Sequence, residues 1–298
     1  MASPDAPGES EDAIVLFYVH GNLGSYNQII PICNSLHNIT AAERANSANP
    51  RKPRLYCYSF DFKEQPSAFS GSMMRKQALF ISTMISHTLR TEFSPRVRFS
   101  IIAHSMGAPI ANLASALADF PTDRLNAVFS LSGTADGHPH TLSYETHRIY
   151  QTLRGAESTH SINVNVHGHA ADLLVPPHLA SLQRRVNMQH RATISTTSEK
   201  NVYSYLDHIN PLFSKRFLEA FLPFVYQLSL PPISPDQKGS KAAASESTSA
   251  ATTRSYQSAT RCITSQRSSA RTQRTHANRG CTAIRSTSRS SRLPSPLL

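Results

Sequence analysis

Short, almost unbroken apolar runs alternate along this chain with longer segments of helical period, and few folds accept that pattern. Ala13–His20 (AIVLFYVH), Arg54–Phe62, Val97–Ser105, Leu125–Gly133, Ser161–His169 and Arg191–Thr197 have the length and composition of strands. Ser25–His37, Ser72–Phe93 and Gly107–Phe120 place apolar residues at helical spacing, and Pro211–Leu228 closes the series as a helix. Strands that are apolar throughout need cover on both faces. The alternation therefore predicts an α/β fold: a mostly parallel sheet with helices on both sides. Sheets of this kind bind ligands beyond the carboxyl ends of their strands. The loops after each strand are where chemistry is sought.

The charge sorts into regions. The net charge of +11 would suggest an anionic partner, but residues 234–298 hold 11 Lys and Arg against 2 acidic residues, and the rest holds 19 against 17. The body is nearly neutral, which argues against a nucleic-acid-binding core. Residues 1–12 read as a flexible leader, 13–230 as the folded domain, and 234–298 as a disordered basic tail rich in Ser, Thr and Arg, too poor in large apolar residues to offset its ordering entropy. The leader lacks the apolar centre of a signal peptide. No apolar run reaches the ~20 residues a membrane-spanning helix needs. The four cysteines show no C-x-x-C spacing; Cys33 and Cys57 fall in apolar segments and read as plain core thiols.

One strand runs straight into a serine turn. In "IIAHSMGAPIA" Ser105 lies between an apolar strand and a helix, with Ala103 two residues before it and Gly107 two after. A nucleophile held on a strand-to-helix turn requires this context, because the bend is sharp enough to demand small residues at both positions. An ordinary turn serine is the competing reading. A nucleophilic serine also needs backbone donors for the oxyanion. The Met106 amide, at the start of the helix, is one. "HGNLG" after the first strand offers the second, from Asn22 or Leu23, although a phosphate loop or a simple turn would use the same glycines. The loop lacks the third glycine of a dinucleotide fingerprint and the Lys of a P-loop.

A serine on such a turn needs a base and an acid, in chain order Ser, then Asp or Glu, then His. Asp172 follows the fifth strand and His208 precedes the last helix, which makes them the candidate acid and base. Asp136 is the runner-up acid, and His178 and His190 compete as the base. Asp207 reads as a helix cap or surface group. His167 and His169 share a strand face but lack further ligands, so they read as loop packing, and no metal or other cofactor is expected. Residues 146–161, between the fourth and fifth strands, are the segment in which a lid over the site would be sought.

With "VHGNLGSYNQI", "FDFKEQPSAFSG", "AHSMGAPIA", "FSLSGTADGHP" and "DHIN" in place, the chain resembles the GPI inositol-deacylase family from about Val15 to Leu228. The string D-F-x-E-x-x-S-A-x-x-G after the second strand is the most specific of these. The resemblance implies an α/β-hydrolase fold and removal of the inositol-linked acyl chain from GPI anchors, with Ser105, Asp172 and His208 as the triad. It implies GPI-anchored proteins or acylated GPI lipid as substrate, a membrane surface nearby, and the endoplasmic reticulum membrane as location; no nucleic acid is expected. Two other readings stay open: a general lipase or carboxylesterase on the same fold, and a non-catalytic relative that binds lipid or protein.

Overall fold

The computed structural model describes residues 13–46, 53–138, 143–155, 161–168, 171–182, 190–197, 202 and 206–230. The leader (1–12), the basic tail (234–298) and His169 lie outside the described residues. Strands β1 (Ala13–Val19), β2 (Arg54–Ser59), β3 (Phe99–His104), β4 (Leu125–Leu131), β5 (Ile162–His167) and β6 (Arg191–Ser195) form one sheet in the order β2-β1-β3-β4-β5-β6. Every neighbouring pair is parallel.

Period-two alternation inside an apolar run decides which side chain faces which layer. In β1, Ala13, Val15, Phe17 and Val19 point into one apolar cluster, and Ile14, Leu16 and Tyr18 into the other. The first cluster is covered by α2 (Gly71–Glu92), α3 (Gly107–Ser115) and α4 (Tyr144–Gly155). The second is covered by α1 (Ile30–Ala45) and α6 (Lys215–Ser229), whose Phe217, Phe221, Leu222 and Val225 are buried. A four-residue helix, α5 (Pro177–Ala180), lies between β5 and β6. Local chemistry sets several starts. The Ser70 hydroxyl accepts from the Met73 N–H at the head of α2, and Ser214 from Phe217 at the head of α6. Pro31 occupies the first turn of α1, where a missing N–H costs nothing.

Two expectations need correcting, and one segment takes its place in the fold. The segment 25–37 is not one helix: Tyr26–Ile29 is a 3-10 turn, and α1 then runs on to Ala45. The segment 146–161, in which a lid would be sought, is α4 as far as Gly155. Its Thr146, Ile149, Tyr150 and Leu153 are buried, and Ile149 and Leu153 join the first core cluster. Cys33 and Cys57 are not free thiols. They form a disulfide, with Cα atoms 6.5 Å apart, that ties α1 to the outermost strand β2.

Among the described residues no helix is long and apolar enough to cross a membrane. An all-parallel sheet covered on both faces, with a serine turn between a central strand and a helix, is the α/β-hydrolase fold.

Candidate active site

β3 ends at His104, and Ser105 then takes a backbone φ of 53°. A non-glycine residue in this left-handed region costs about 1–3 kcal/mol and persists only where its surroundings over-determine it. Here the Ser105 N–H donates to the Leu131 carbonyl of β4 (3.0 Å), and the Ser105 carbonyl accepts from Ala108 N–H in α3 (3.1 Å). The turn is thus tied to the sheet and the helix at once. The demand for small neighbours has a concrete source. A Cβ on Gly107 would lie 2.2 Å from the Val19 carbonyl oxygen and 2.9 Å from that of His20, both backbone atoms at the end of β1. The loop after β1 presses equally close, since a Cβ on Gly21 would lie 2.6 Å from the Cβ of Ser105.

Three candidate residues from three different loops meet. His208 Nε2 lies 2.7 Å from Ser105 Oγ, and His208 Nδ1 lies 3.0 and 3.1 Å from the two Asp172 oxygens. A carboxylate can only accept, so Nδ1 carries the proton and Nε2 is left to accept from the serine hydroxyl. Asp172 Oδ1 also accepts from the Val175 N–H (2.8 Å) and the Leu174 N–H (3.1 Å). The Asp172 side chain is fully buried, while the His208 side chain keeps 13% of its surface. Burial alone would raise the Asp172 carboxyl. The His208 hydrogen bond and charge, with the Val175 amide, outweigh it and hold the group below its ordinary 3.8.

The other candidates have other partners or positions. Asp136 is buried and pairs with Arg154 of α4 (3.4 Å). Asp207 Oδ1 accepts from the Ile209 and Asn210 N–H groups (3.0 and 2.8 Å), just ahead of the 3-10 turn Asn210–Leu212. His178 sits on α5, and His190 leads into β6, where its carbonyl accepts from Asn163 N–H. Met106 stands at the head of α3, where amides lack helical partners. In the loop after β1, the Leu23 N–H is directed at the Gln65 carbonyl (3.4 Å), so of the two oxyanion candidates there Asn22 is the one whose amide is not spent on that contact. Among the described residues no group of three or more His, Cys, Asp or Glu is placed to hold a metal ion.

A further residue at the site, His104, carries no motif of its own beyond its place before Ser105. It is buried, and since a carbonyl can only accept, its Nε2–H donates to the His208 carbonyl (2.8 Å). Burial, with His208 beside it, pushes its imidazole down to about 4, so it is neutral near pH 7. The strand that presents Ser105 therefore also grips the backbone of His208.

This geometry sits in a chain whose residues 10–225 match the family model described as PGAP1-like alpha/beta domain. The chain belongs to the PGAP1-like alpha/beta family. Among curated relatives it is similar to the GPI inositol-deacylase of Chaetomium globosum, 24% identical over 243 residues that cover 72% of this chain and 21% of that one. It is 25% identical to the GPI inositol-deacylase of Neurospora crassa over 244 residues, 72% of this chain and 19% of the relative. The chain thus spans about a fifth of the length of these curated relatives. Among solved structures, Aspergillus fumigatus lipase B aligns with a TM-score of 0.49 at 11% identity, covering 74% of this chain and 54% of the lipase. In this PGAP1-like chain the residues that the family model spans include Ser105, His208 and Asp172, the three that are hydrogen-bonded in series.

Proposed function

We propose that this chain is a serine esterase that removes the inositol-linked acyl chain from GPI anchors. The observation that carries the reading is the 2.7 Å contact between Ser105 Oγ and His208 Nε2, backed by the Asp172 carboxylate on the far side of the ring. Ser105 Oγ attacks the ester carbonyl carbon and its proton passes to His208 Nε2. The oxyanion is held by backbone N–H groups of Met106 and Asn22. The tetrahedral species collapses, the inositol oxygen leaves with the proton from His208, and the acyl group stays on Ser105. Water, deprotonated by His208, then attacks the acyl carbonyl, the acyl bond to Ser105 Oγ breaks as His208 returns the proton to Oγ, and the fatty acid leaves.

Two further observations support a lipid substrate in a luminal setting. Leu173 and Leu174 beside Asp172, Ile209 beside His208 and Leu23 in the β1 loop are all more than half exposed, Leu173 at 86%. Apolar side chains left in water around such a site suit a long acyl chain. The Cys33–Cys57 disulfide suits an oxidising compartment, in keeping with the endoplasmic reticulum.

The test is fluorophosphonate labelling of the folded chain, followed by assay on inositol-acylated GPI lipid and on short p-nitrophenyl esters. The reading expects labelling at Ser105 and release of fatty acid from the GPI lipid, both lost in Ser105→Ala. Turnover of the short esters alone would leave a general carboxylesterase. A folded chain that does not label would leave a non-catalytic lipid- or protein-binding relative.

A further inference from the structure

The string FDFKEQPSAFSG, residues 60–71, contributes no side chain to the Ser105–His208–Asp172 relay. Its backbone does something else. Three hydrogen bonds join it to the loop after β1, at His20, Asn22 and Leu23. The Phe62 N–H donates to His20 Nε2 (3.2 Å), the Leu23 N–H donates to the Gln65 carbonyl (3.4 Å), and the Ala68 N–H donates to Asn22 Oδ1 (2.9 Å). Because His20 Nε2 accepts, its Nδ1 carries the proton and donates to the Gly21 carbonyl (2.9 Å). The His20 ring is buried and packs on Phe62, with centroids 4.7 Å apart. The string is itself held firmly. The Gln65 carbonyl also accepts from Ser67 N–H (2.9 Å), and the Gln65 side chain accepts from the Gln77 amide of α2 (3.2 Å).

Both loops carry backbone strain where they face each other. Leu23, Lys63 and Glu64 all have φ near 53°, and none is glycine. A Cβ on Gly21, one residue before Asn22, would lie 2.6 Å from the Cβ of Ser105, so the loop passes close to the serine. A small shift of this loop therefore moves the Asn22 amide relative to the reacting atoms.

We infer that His20 and Asn22 are positioning residues, and that the 60–71 string is the frame against which their side chains fix the Asn22 amide toward Ser105. The inference rests on the esterase reading above. Neither side chain touches the reacting atoms; they act through the backbone they hold. Loss of one such prop misplaces a donor that matters only once negative charge develops, so it lowers kcat and leaves substrate binding almost unchanged.

The experiment compares Asn22→Ala, His20→Leu and His20→Gln with the parent chain on one ester substrate and on an alkyl boronic acid that mimics the tetrahedral species. Asn22 is half-buried, so its truncation leaves the core intact. For Asn22→Ala and His20→Leu the expected result is a kcat roughly 10- to 100-fold lower, KM within about twofold, and boronate affinity falling in step with kcat. His20→Gln, whose side-chain oxygen can still accept from Phe62 N–H, should recover most of the loss. Parent activity with Asn22→Ala at full kcat and full boronate affinity overturns this inference and leaves the esterase reading standing. If His20→Leu does not fold, the Asn22→Ala result decides alone. A parent chain that neither labels nor turns over ester removes the esterase reading itself.

Discussion

Position 107 and the last residue of β1 are in direct conflict over space: a methyl group on Gly107 would lie 2.2 Å from the carbonyl oxygen of Val19. Neither backbone can yield, because Val19 pairs with Ala103 in the middle of the sheet and Gly107 opens α3. Gly107→Ala is expected to destabilise the chain by about 3 kcal/mol or more, at the upper end for an overpacked core. Gly155→Ala, where a Cβ meets nothing within 4 Å, should change stability by less than about 1 kcal/mol. Urea denaturation of the two variants checks both.

The Asp172–His208 bond fixes the ring tautomer that leaves Nε2 free to accept. Asp172→Asn is expected to favour the opposite tautomer, because a side-chain amide can donate to Nδ1. On the esterase reading kcat should fall about 10⁴-fold while the melting temperature changes little. Steady-state kinetics alongside calorimetry tests this; an Asn variant of near-parental kcat would show that Asp172 has no part in the chemistry.

His104 makes stability depend on pH. In the unfolded chain its imidazole takes a proton near 6.5, but in the fold only near 4. Below 6.5 the unfolded state binds the extra proton first. The stabilisation is therefore complete above about pH 6.5 and is lost as pH falls toward 4, by roughly 3 kcal/mol in all. Asp172, held below 3.8, adds a further loss at still lower pH, once the unfolded carboxyl begins to protonate. His104→Gln, which can still donate to the His208 carbonyl, should flatten the slope between pH 6.5 and 4. Chemical denaturation at several pH values reads the difference.

The cross-link between α1 and β2 closes a loop across a sequence separation of 24. The Cys33→Ser/Cys57→Ser double variant is expected to lose about 3 kcal/mol. Non-reducing peptide mapping should recover the two cysteines in one linked peptide pair.

How far the sequence alone could go is visible residue by residue. Apolar runs with helical segments between them were enough for the sheet, because burial on both faces leaves a parallel strand little choice of composition. Ser105, Asp172 and His208 could be singled out because each follows or precedes an element at the site end of the sheet, and the chain order narrows the choice. The Cys33–Cys57 bond could not be seen, since no short spacing marks two thiols brought together by helix-on-strand packing. α4 was missed because Ile149, Tyr150 and Leu153 make only a narrow apolar stripe in an otherwise polar stretch. The 60–71 string was noticed as distinctive. Two of its contacts join backbone amides of the string to side chains of the β1 loop 42 and 46 residues away, and backbone amides leave no trace in composition.

On the esterase reading, the left-handed backbone at Ser105 sets durability against reactivity at this one residue. Ser105→Gly and Ser105→Ala both discard the hydroxyl, yet only glycine is at ease at a φ of 53°. The glycine variant should be the sturdier of the two by about 1 kcal/mol, measurable as a higher denaturation midpoint. The difference would measure the backbone strain that a non-glycine residue bears at the position from which the Ser105 hydroxyl meets His208.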